Sequence, residues 1–392
     1  MDVMVVQTWQ QRATPGIKYG FICRLKICIH LYNEVSYTHV MQTSCNVRIF
    51  NQHSCCTGIL LYMSEPISIK TFNAITSSPS LILDHSLALG CEYLIVDCTG
   101  EDSTPVANVP CQTILIGIGT SASQKLPFDL LVDDEDALTL LCAAIAAQPE
   151  AAYVLTQVLR HNQDSNAHDG LMAESLAYSA LQSGAGFRRW IKAQPSKTTA
   201  TEQTTPLLVE RVGARLQLTL NRPAVHNAYN TALKDALCEA LELVHSDASI
   251  SSLTLCGNGA SFCAGGDLSE FGSFHSPATA HVSRTTRSAA RLLSSLAINT
   301  QVYLHGACVG AGIELPAFCN TIEAHPDTFF QLPEVAMGLI PGAGGTVSIL
   351  QRIGRQKTAL MAISHQRIDA DTALRWGLID RISRQASFHD TA

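Results

Sequence analysis

The sequence has few charged residues and no long run of either charge. Charged residues make up 15% of the 392 residues, whereas apolar residues make up 46%. The formal net charge is −7 and no Lys/Arg cluster occurs, which excludes a basic nucleic-acid footprint. The apolar content excludes disorder over most of the chain. The longest apolar runs, at 114–118 and 289–298, are much shorter than the ~20 residues that span a bilayer. We therefore expect neither a nucleic-acid partner nor a membrane partner.

Metal-site and export signals are also missing. The fourteen cysteines form no CxxC pair, and the histidines show no HExxH or similar spacing, so no metal site is predicted. No basic region precedes an apolar stretch at the N-terminus, so a secretory signal is not evident. Scattered free thiols are typical of a reducing compartment, which favours a cytoplasmic location.

Composition divides the chain into four segments. Residues 194–206 lack large apolar side chains and are rich in Thr, Ser and Pro, which is typical of a linker. Short apolar runs at 93–96 and 113–116 predict buried strands, and helical patterns follow. The predicted helices lie at 138–148 after several possible N-caps, at 151–160 and at 171–191. The predicted organisation is an irregular extension over 1–75, an α/β segment with helices over 76–193, the linker, and a second α/β segment over 207–392.

The segment after the linker alternates strands and helices. RLQLTL at 215–220 alternates as a strand, and further strands are predicted at 252–256 and 301–304. Between the first two, apolar residues from Ala232 to Val244 lie on one face of an amphipathic helix. Strands that alternate with helices indicate a mostly parallel sheet whose loops carry function.

Three Gly-rich segments stand out in this half, at 262–268, 305–315 and 332–346. A helix is predicted to begin near Ala311, so its first N–H groups lack partners within the helix. Glycines in FCAGGDL let a second backbone N–H approach the same point, because no Cβ obstructs it. Two backbone donors on one oxygen make an oxyanion hole, in which each donor is typically worth ~3 kcal/mol.

Glu314 and Glu334 are embedded in these apolar segments, where, apart from Asp267, they are the only carboxylates. Burial strongly disfavours the charged form of a carboxyl group, so such residues are usually paired or used. Two carboxylates beside an oxyanion hole favour general acid/base catalysis. For either glutamate alone, a capped or solvated helix position remains the alternative interpretation.

Residues 205–382 resemble the crotonase (enoyl-CoA hydratase/isomerase) superfamily. Five strings carry the resemblance in the family's order: NRPAVHNA, FCAGGDL, HGACVGAGIEL, PEVAMGLIPGAGGT and ALRWGLID. The resemblance implies an α/β fold, a repeated ββα superhelix, in this half. It also implies an acyl-CoA thioester substrate of fatty acid metabolism, no cofactor beyond the coenzyme A of that substrate, and a homo-oligomer that is a trimer or a hexamer.

The resemblance also implies the site residues. The thioester carbonyl would lie between the N–H groups of Gly266 and Ala311, although the family usually has Gly at the latter position. Glu314 would activate a water that attacks Cβ, and Glu334 would protonate Cα. The isomerase branch commonly keeps only the later glutamate, so the pair favours a hydratase, a lyase. Further substrate contacts are expected from the same motifs, at Ala264, Gly265, Asp267, Leu268, Gly310, Pro341 and Gly342.

The chain departs from the family pattern in three places. His305 replaces a frequent Asn, Pro316 lies where a helix interior is expected, and the helices that usually follow the GLID-like motif are missing before Ala392. Residues 128–190 resemble those missing C-terminal helices, and the strands before them resemble shortened family strands. The first half is therefore interpreted as a degenerate crotonase-like copy that retains the tail. A chance helical pattern is the alternative.

Single features of the sequence point to other functions. GIGTSA at 117–122 follows a strand, but no helix fits before Pro127, so a dinucleotide site is rejected. Cys263 and Cys308 lie beside the expected site and are interpreted as packing residues rather than nucleophiles. The remaining alternatives are an enoyl-CoA isomerase or another crotonase-type enzyme, and a non-catalytic acyl-CoA-binding or scaffold protein.

Overall fold

A computed structural model describes residues 27–28, 58–59, 66–76, 93–98, 113–119, 127–194, 205–273 and 276–384. Most of the predicted N-terminal extension over 1–75 lies outside these residues. Residues 195–204 of the predicted linker, residues 120–122 of GIGTSA and the end of the chain from 385 also lie outside them. The four segment boundaries therefore stay predictions.

The first half contains a small parallel sheet. Two short antiparallel strands come first, β1 (Ile27–Cys28) and β2 (Gly58–Ile59). The sheet then has the order β3-β4-β5-β6, and all of its neighbours are parallel. Its central strands are apolar and buried, as the sequence predicts. The bounds are β3 (Ile67–Ser68), α1 (Ile69–Thr76), β4 (Tyr93–Asp97), β5 (Ile114–Ile118) and β6 (Leu130–Val132).

Four helices follow this sheet. Asp134 caps the first by accepting a hydrogen bond from the N–H of Ala137 at 2.7 Å. The helical pattern over 171–191 predicted one helix, but the structure divides it at Ser183 and Gly184, because Gly184 is extended (φ −72°, ψ 158°). The bounds are α2 (Glu135–Ala147), α3 (Pro149–Asn162), α4 (Ala167–Gln182) and α5 (Ala185–Ala193).

The second half is built on a six-stranded sheet of order β15-β12-β10-β9-β8-β7, which is parallel except for the β7–β8 hairpin. A three-stranded sheet, β11-β13-β14, lies beside the Gly-rich loops. The strands are β7 (Leu207–Val212), β8 (Arg215–Leu220), β9 (Ser252–Gly257), β10 (Asn299–Leu304), β11 (Ala307–Val309), β12 (Thr321–Ala324), β13 (Phe329–Gln331), β14 (Ile368–Asp369) and β15 (Arg381–Ile382).

The helices of this half connect the strands, as the predicted alternation requires. Pro316 does not interrupt a helix, because α9 ends at Glu314 and the proline begins a separate 3₁₀ turn, Pro316–Phe318. The bounds are α6 (Thr231–Ser246), α7 (Pro277–Thr286), α8 (Ala289–Ser294), α9 (Ala311–Glu314), α10 (Gly345–Ile353), α11 (Arg355–Ser364) and α12 (Ala370–Trp376).

The two halves pack together through α10 and α11. Helices α3 and α4 contact α10, and α2, α3 and β6 contact α11, so buried residues of both halves form one apolar cluster. Asp129 is buried at this junction between Arg160 of α3 and Arg355 of α11. Leu115 also donates its N–H to Asp129 at 2.9 Å. The paired charge joins the small parallel sheet to the second half.

No single helix in the described part of the chain has both the length and the apolarity needed to cross a membrane. Helices α2 and α3 meet that criterion only when taken together, and a bend of 106° separates them.

Candidate active site

Backbone hydrogen bonds bring two of the three Gly-rich segments side by side. Phe262 donates its N–H to the carbonyl of His305 at 2.9 Å, and Cys263 donates to Ala307 at 3.2 Å. Val309 donates back to the carbonyl of Cys263 at 3.1 Å. This pairing carries the chain on each side to the same cavity, one segment to Gly266 and the other to Ala311.

Both of these residues line the cavity with unused backbone donors. Ala311 is the first residue of α9, so its N–H has no partner within the helix. Gly266 forms an isolated bridge with Tyr229. The residues on either side of Gly266 make its hydrogen bonds, because Tyr229 donates its N–H to the carbonyl of Gly265 and Asp267 donates its N–H to the carbonyl of Tyr229. Within the described ranges, neither the N–H of Gly266 nor that of Ala311 donates to a protein group. The two amides are therefore free to bind a carbonyl oxygen.

Glu314 is the last residue of α9, and its side chain is 2% exposed. Its Oε2 accepts hydrogen bonds from the N–H groups of Ala343 at 2.7 Å and of Gly345 at 2.9 Å. Burial raises the pKa of Glu314 to about 7, and the two amide donors oppose that rise. A carboxyl group with a pKa near neutrality can take up and release a proton under physiological conditions.

Glu334 precedes the 3₁₀ turn Val335–Met337 and is also buried. Its Oε2 has no hydrogen-bond partner in the described part of the chain. Burial raises the pKa of Glu334 well above its usual value, and the negative charges of Glu314 and Glu174 add to that rise. The group therefore binds its proton more tightly than an exposed carboxyl group does, and it leaves one oxygen free to meet a substrate.

Gly310 allows the two carboxylates to approach each other. Its backbone has φ +48° and ψ −120°, a conformation that disfavours residues with a side chain. A Cβ on Gly310 would collide with Oε1 of Glu334 and would lie 3.7 Å from Oε1 of Glu314. The absence of a side chain here thus leaves a space that both carboxylates border.

The cavity has a volume of about 240 Å³. Six residues that the sequence singled out line it: Gly266, Asp267, Ala311, Glu314, Glu334 and Gly342. Five others do not: Ala264, Gly265, Leu268, Gly310 and Pro341. Leu268 is 48% exposed, and the Asp267 carboxylate pairs with Arg222 at 2.9 Å and accepts from Ser269 at 2.7 Å. Asp267 therefore holds the loop in shape from the edge of the cavity.

The cavity residues that the sequence did not single out include Glu174 and Tyr178 on α4 and Arg284 on α7. Glu174 is 3% exposed, and burial, reinforced by the negative charge of Glu314, raises its pKa to about 8. The guanidinium of Arg284 lies 4.6 Å from the Tyr178 ring centroid. One signal was present in the sequence, because Glu174 shares a helix face with Leu171 and Tyr178 at i−3 and i+4.

The cysteines beside the cavity are buried thiols. Cys263 and Cys308 form an isolated bridge between the paired segments. Burial raises the pKa of Cys263 to about 12 and that of Cys308 well above its usual value. Their thiols therefore stay protonated, which agrees with a packing role. Among the described residues, no group of three or more His, Cys, Asp or Glu side chains is arranged to hold a metal ion.

Comparisons with known proteins identify the family to which this chain belongs. Residues 211–392 match the family described as "Enoyl-CoA hydratase/isomerase". The chain is 36% identical over 179 residues to the 2,3-dehydroadipyl-CoA hydratase of Escherichia coli (strain K12), a match that covers 45% of this chain and 68% of the relative. It is 30% identical over 169 residues to the mitochondrial enoyl-CoA hydratase of Pongo abelii, covering 42% of this chain and 56% of the relative.

The chain therefore belongs to the enoyl-CoA hydratase/isomerase family, the crotonase superfamily, and its second half carries the fold of that family. It spans between about half and two thirds of the length of these two relatives. Among solved structures, it is similar to the enoyl-CoA hydratase from Thermoplasma volcanium GSS1, with 27% identity, a TM-score of 0.43, and coverage of 47% of this chain and 73% of that chain. The predicted site residues stay predictions.

Proposed function

We propose that the protein is an enoyl-CoA hydratase, which adds water across the 2,3 double bond of an enoyl-CoA thioester. One observation carries the proposal. Two buried carboxylates, Glu314 and Glu334, border the same space in a cavity that also contains the free N–H groups of Gly266 and Ala311. This combination offers an oxyanion site and two proton-transfer groups within one cavity.

The two amides would bind the thioester carbonyl oxygen. Negative charge grows on this oxygen when a nucleophile adds to Cβ, because the electrons of the double bond move toward the carbonyl. Fixed donors that meet this charge stabilise the transition state more than the ground state. The loss of one such donor typically costs about 10²- to 10³-fold in turnover.

The glutamates would move the protons. Glu314 accepts a proton from water while the water oxygen forms a bond to Cβ, and Glu334 gives its proton to Cα. The product gains one oxygen and two hydrogens, which balances the addition of one water. Glu314 then carries a proton and Glu334 lacks one, so a proton must return from Glu314 to Glu334 before the next turnover.

The protonation states support this assignment of roles. The pKa of Glu314 is about 7, so a substantial fraction is ionised at neutral pH and can act as a base. The pKa of Glu334 is raised well above its usual value, which favours the protonated form that donates in this step. The environments of the two groups therefore suit Glu314 to accept a proton and Glu334 to donate one.

Arg284 supports a more specific substrate class. Its guanidinium donates to Ser175, Ser179 and Gln182, and no carboxylate of the described residues lies within ion-pair distance. A half-buried positive charge that forms no ion pair favours an anionic ligand. The E. coli relative is named for a dehydroadipyl thioester, whose acyl chain ends in a carboxylate. We propose that this cavity also accepts enoyl thioesters with a carboxylate end.

A panel of enoyl-CoA thioesters tests the function. Loss of the conjugated enoyl absorbance, with formation of the 3-hydroxyacyl product, would support hydration. Movement of a 3,4 double bond into conjugation without water uptake would support the isomerase alternative. Saturable binding without turnover of any thioester would support the non-catalytic alternative. Hydrolysis to free coenzyme A would indicate another crotonase-type reaction.

The same panel tests the substrate class. We expect dehydroadipyl-CoA to have a higher kcat/KM than an uncharged enoyl-CoA of equal chain length. The preference is the kcat/KM for dehydroadipyl-CoA divided by that for the uncharged thioester. Replacement of Arg284 by Met should lower this preference at least tenfold, because it removes the charge and keeps most of the volume. Equal preferences in the wild type and the variant would exclude recognition of a carboxylate end by Arg284.

Three further expectations accompany the proposed activity. We propose a trimer or hexamer, to be checked by light scattering of the full chain. We propose that no cofactor is required beyond the coenzyme A of the substrate, to be checked by activity after exhaustive dialysis. We also propose a cytoplasmic location, which the seven free cysteines of the described residues support and cell fractionation would test.

A further inference from the structure

Four consecutive backbone amides at the start of α10 are divided between two carboxylates. Ala343 and Gly345 donate to Oε2 of Glu314, at 2.7 and 2.9 Å. Gly344 donates to Oε1 of Glu174 at 2.8 Å, and Thr346 donates its N–H to Oε2 of Glu174 at 3.0 Å. The Thr346 hydroxyl adds a third bond to Glu174, at 2.7 Å. The partners thus alternate along the turn 343–346.

Alternation makes the two sets of hydrogen bonds depend on each other. Each peptide unit is a rigid plane joined to the next at a shared Cα, so a rotation that moves the N–H of Gly344 also displaces the units that carry the N–H groups of Ala343 and Gly345. Oε2 of Glu314 takes both of its hydrogen bonds from that turn, which leaves its Oε1 on the side of Gly310 and Glu334. The direction of Oε1 is therefore set by a turn that Glu174 holds from the other side.

We infer that Glu174, contributed by the first half of the chain, is a positioning residue that aims Glu314 at the reacting water. It acts through the backbone of residues 343–346 and is not itself in contact with the reacting atoms. The inference rests on the proposed hydratase function and deepens it, since it makes α4 of the first half a required part of the active site.

The first half also braces the turn that bears Glu334. Gln148 donates its side-chain N–H to the carbonyl of Ala336 at 3.2 Å. The backbone of Gly186 and Phe187 lies so close to Gly338 that a Cβ on Gly338 would not fit. Both glutamates of the proposed mechanism are thus held by residues of the first half that precede them in sequence by 140 or more positions.

The titratable and charged groups near Glu174 come from four places in the fold. Tyr178 lies on the same helix, and Arg284 of α7 adds a positive charge. His281 of α7 lies 3.0 Å from the hydroxyl of Ser175, the residue after Glu174. Glu314 and Glu334 face it from the second half. The pKa of Glu174 is raised to about 8 by burial first and by Glu314 second, so Glu174 is mostly protonated where Glu314 titrates, near pH 7.

Because Glu174 is mostly protonated where Glu314 titrates, the direction in which the pKa of Glu314 should move in a Glu174 variant is defined. In Glu174→Gln an NH₂ group replaces one acceptor oxygen and cannot accept from Gly344 or Thr346. The turn then shifts, and Glu314 loses part of the hydrogen bonding that lowers its pKa. We expect kcat to fall at least tenfold and the acid limb of the pH profile of kcat/KM to move to higher pH. Thr346→Val should produce a smaller change in the same direction, because it removes one donor to Glu174. Glu150→Gln, an exposed change on α3, is the matched control.

A merely structural role would give a different result. Partial unfolding lowers the amount of active protein and leaves the midpoint of the pH profile in place, so an unmoved midpoint in Glu174→Gln would overturn the inference. If Glu174→Gln fails to fold, Thr346→Val carries the same test with the same criterion. If the wild type hydrates no enoyl thioester, the proposed function fails by itself. The inference is then judged from the titration of ¹³C-labelled Glu314 in the full chain, where an unchanged pKa in the variant would overturn it.

Discussion

Arg355 donates a hydrogen bond of 3.2 Å from Nη1 to Oδ1 of Asp129, a residue 226 positions earlier in the chain. Its Nη2 also donates to the carbonyl of Phe128 at 2.8 Å. Arg160 donates to the same Oδ1 at 2.8 Å through Nε. One fully buried carboxylate thus binds two guanidinium groups, one from each half of the chain.

Loss of the Asp129 charge should destabilise the whole chain. Replacement of Asp129 by Asn leaves Arg355, whose side chain is 7% exposed, without a counter-ion. Breaking a buried ion pair by removal of one partner costs about 3–5 kcal/mol. We expect the free energy of unfolding in urea to fall by about that amount. Asp133→Asn, an exposed change nearby, should have little effect, and equal losses in both variants would contradict the assigned role of the buried pair.

Neutralising either glutamate of the proposed mechanism should reduce hydration while the fold persists. Glu314→Gln and Glu334→Gln each remove one proton-transfer step, which is typically worth about 10²- to 10⁴-fold in turnover. The change is nearly isosteric, so circular dichroism should stay close to that of the wild type, and so should the urea midpoint at pH 5, below the raised pKa of Glu314. Wild-type turnover in either variant would remove that residue from the mechanism.

The free amide of Ala311 can be removed with little change to the backbone. Ala311 is the first residue of α9, a position at which proline is well tolerated because its missing N–H has no helical partner. Ala311→Pro should therefore lower turnover at least about 10²-fold, whereas Ala311→Gly, which keeps the N–H, should be mild. Stopped-flow or steady-state loss of the enoyl absorbance measures both. Equal damage in the two variants would show that the side chain matters and the donor does not.

The raised carboxyl pKa values predict how stability depends on pH. Glu314 and Glu174 have folded pKa values of about 7 and about 8, above the ordinary value of 4.5, so the folded state binds more protons than the unfolded state between pH 4.5 and 8. Stability therefore decreases as pH rises through that range. We expect the urea midpoint of the wild type to fall from pH 5 to pH 8.5, and the fall to be smaller in Glu314→Gln. An identical slope in that variant would contradict the raised pKa.

Local patterns predicted the secondary structure of the second half closely. The alternation at 215–220 matches β8 residue for residue, the apolar face from Ala232 lies within α6, and α9 begins at Ala311. These features depend on periodicity and capping, which act over a few residues. In the first half, the helix break at Gly184 was not predicted, because Leu181 and Phe187 continue the apolar pattern on both sides of it.

The third carboxylate of the cavity could not be predicted in the same way. Glu174 looks locally like a polar position on an amphipathic helix, and its three donors lie 170 and 172 positions away in the chain. The position of Arg284 over Tyr178 likewise depends on the packing of α4 against α7. Sequence periodicity carries no information about which helix covers which loop, and the five motifs that carry the resemblance all lie in the second half.

The alternating hydrogen bonds from residues 343–346 to Glu314 and Glu174 also affect how the protein folds. The hydrogen bonds of this turn to Glu174, like that between Asp129 and Arg355, join residues that are separated by 170 or more positions. Folding slows as the mean sequence separation of native contacts grows, because long loops must close before those contacts form. During synthesis, α3 and α4 leave the ribosome well before the turn that they hold. Their apolar faces therefore remain exposed until α10 and α11 arrive, which makes this interval the one most prone to aggregation.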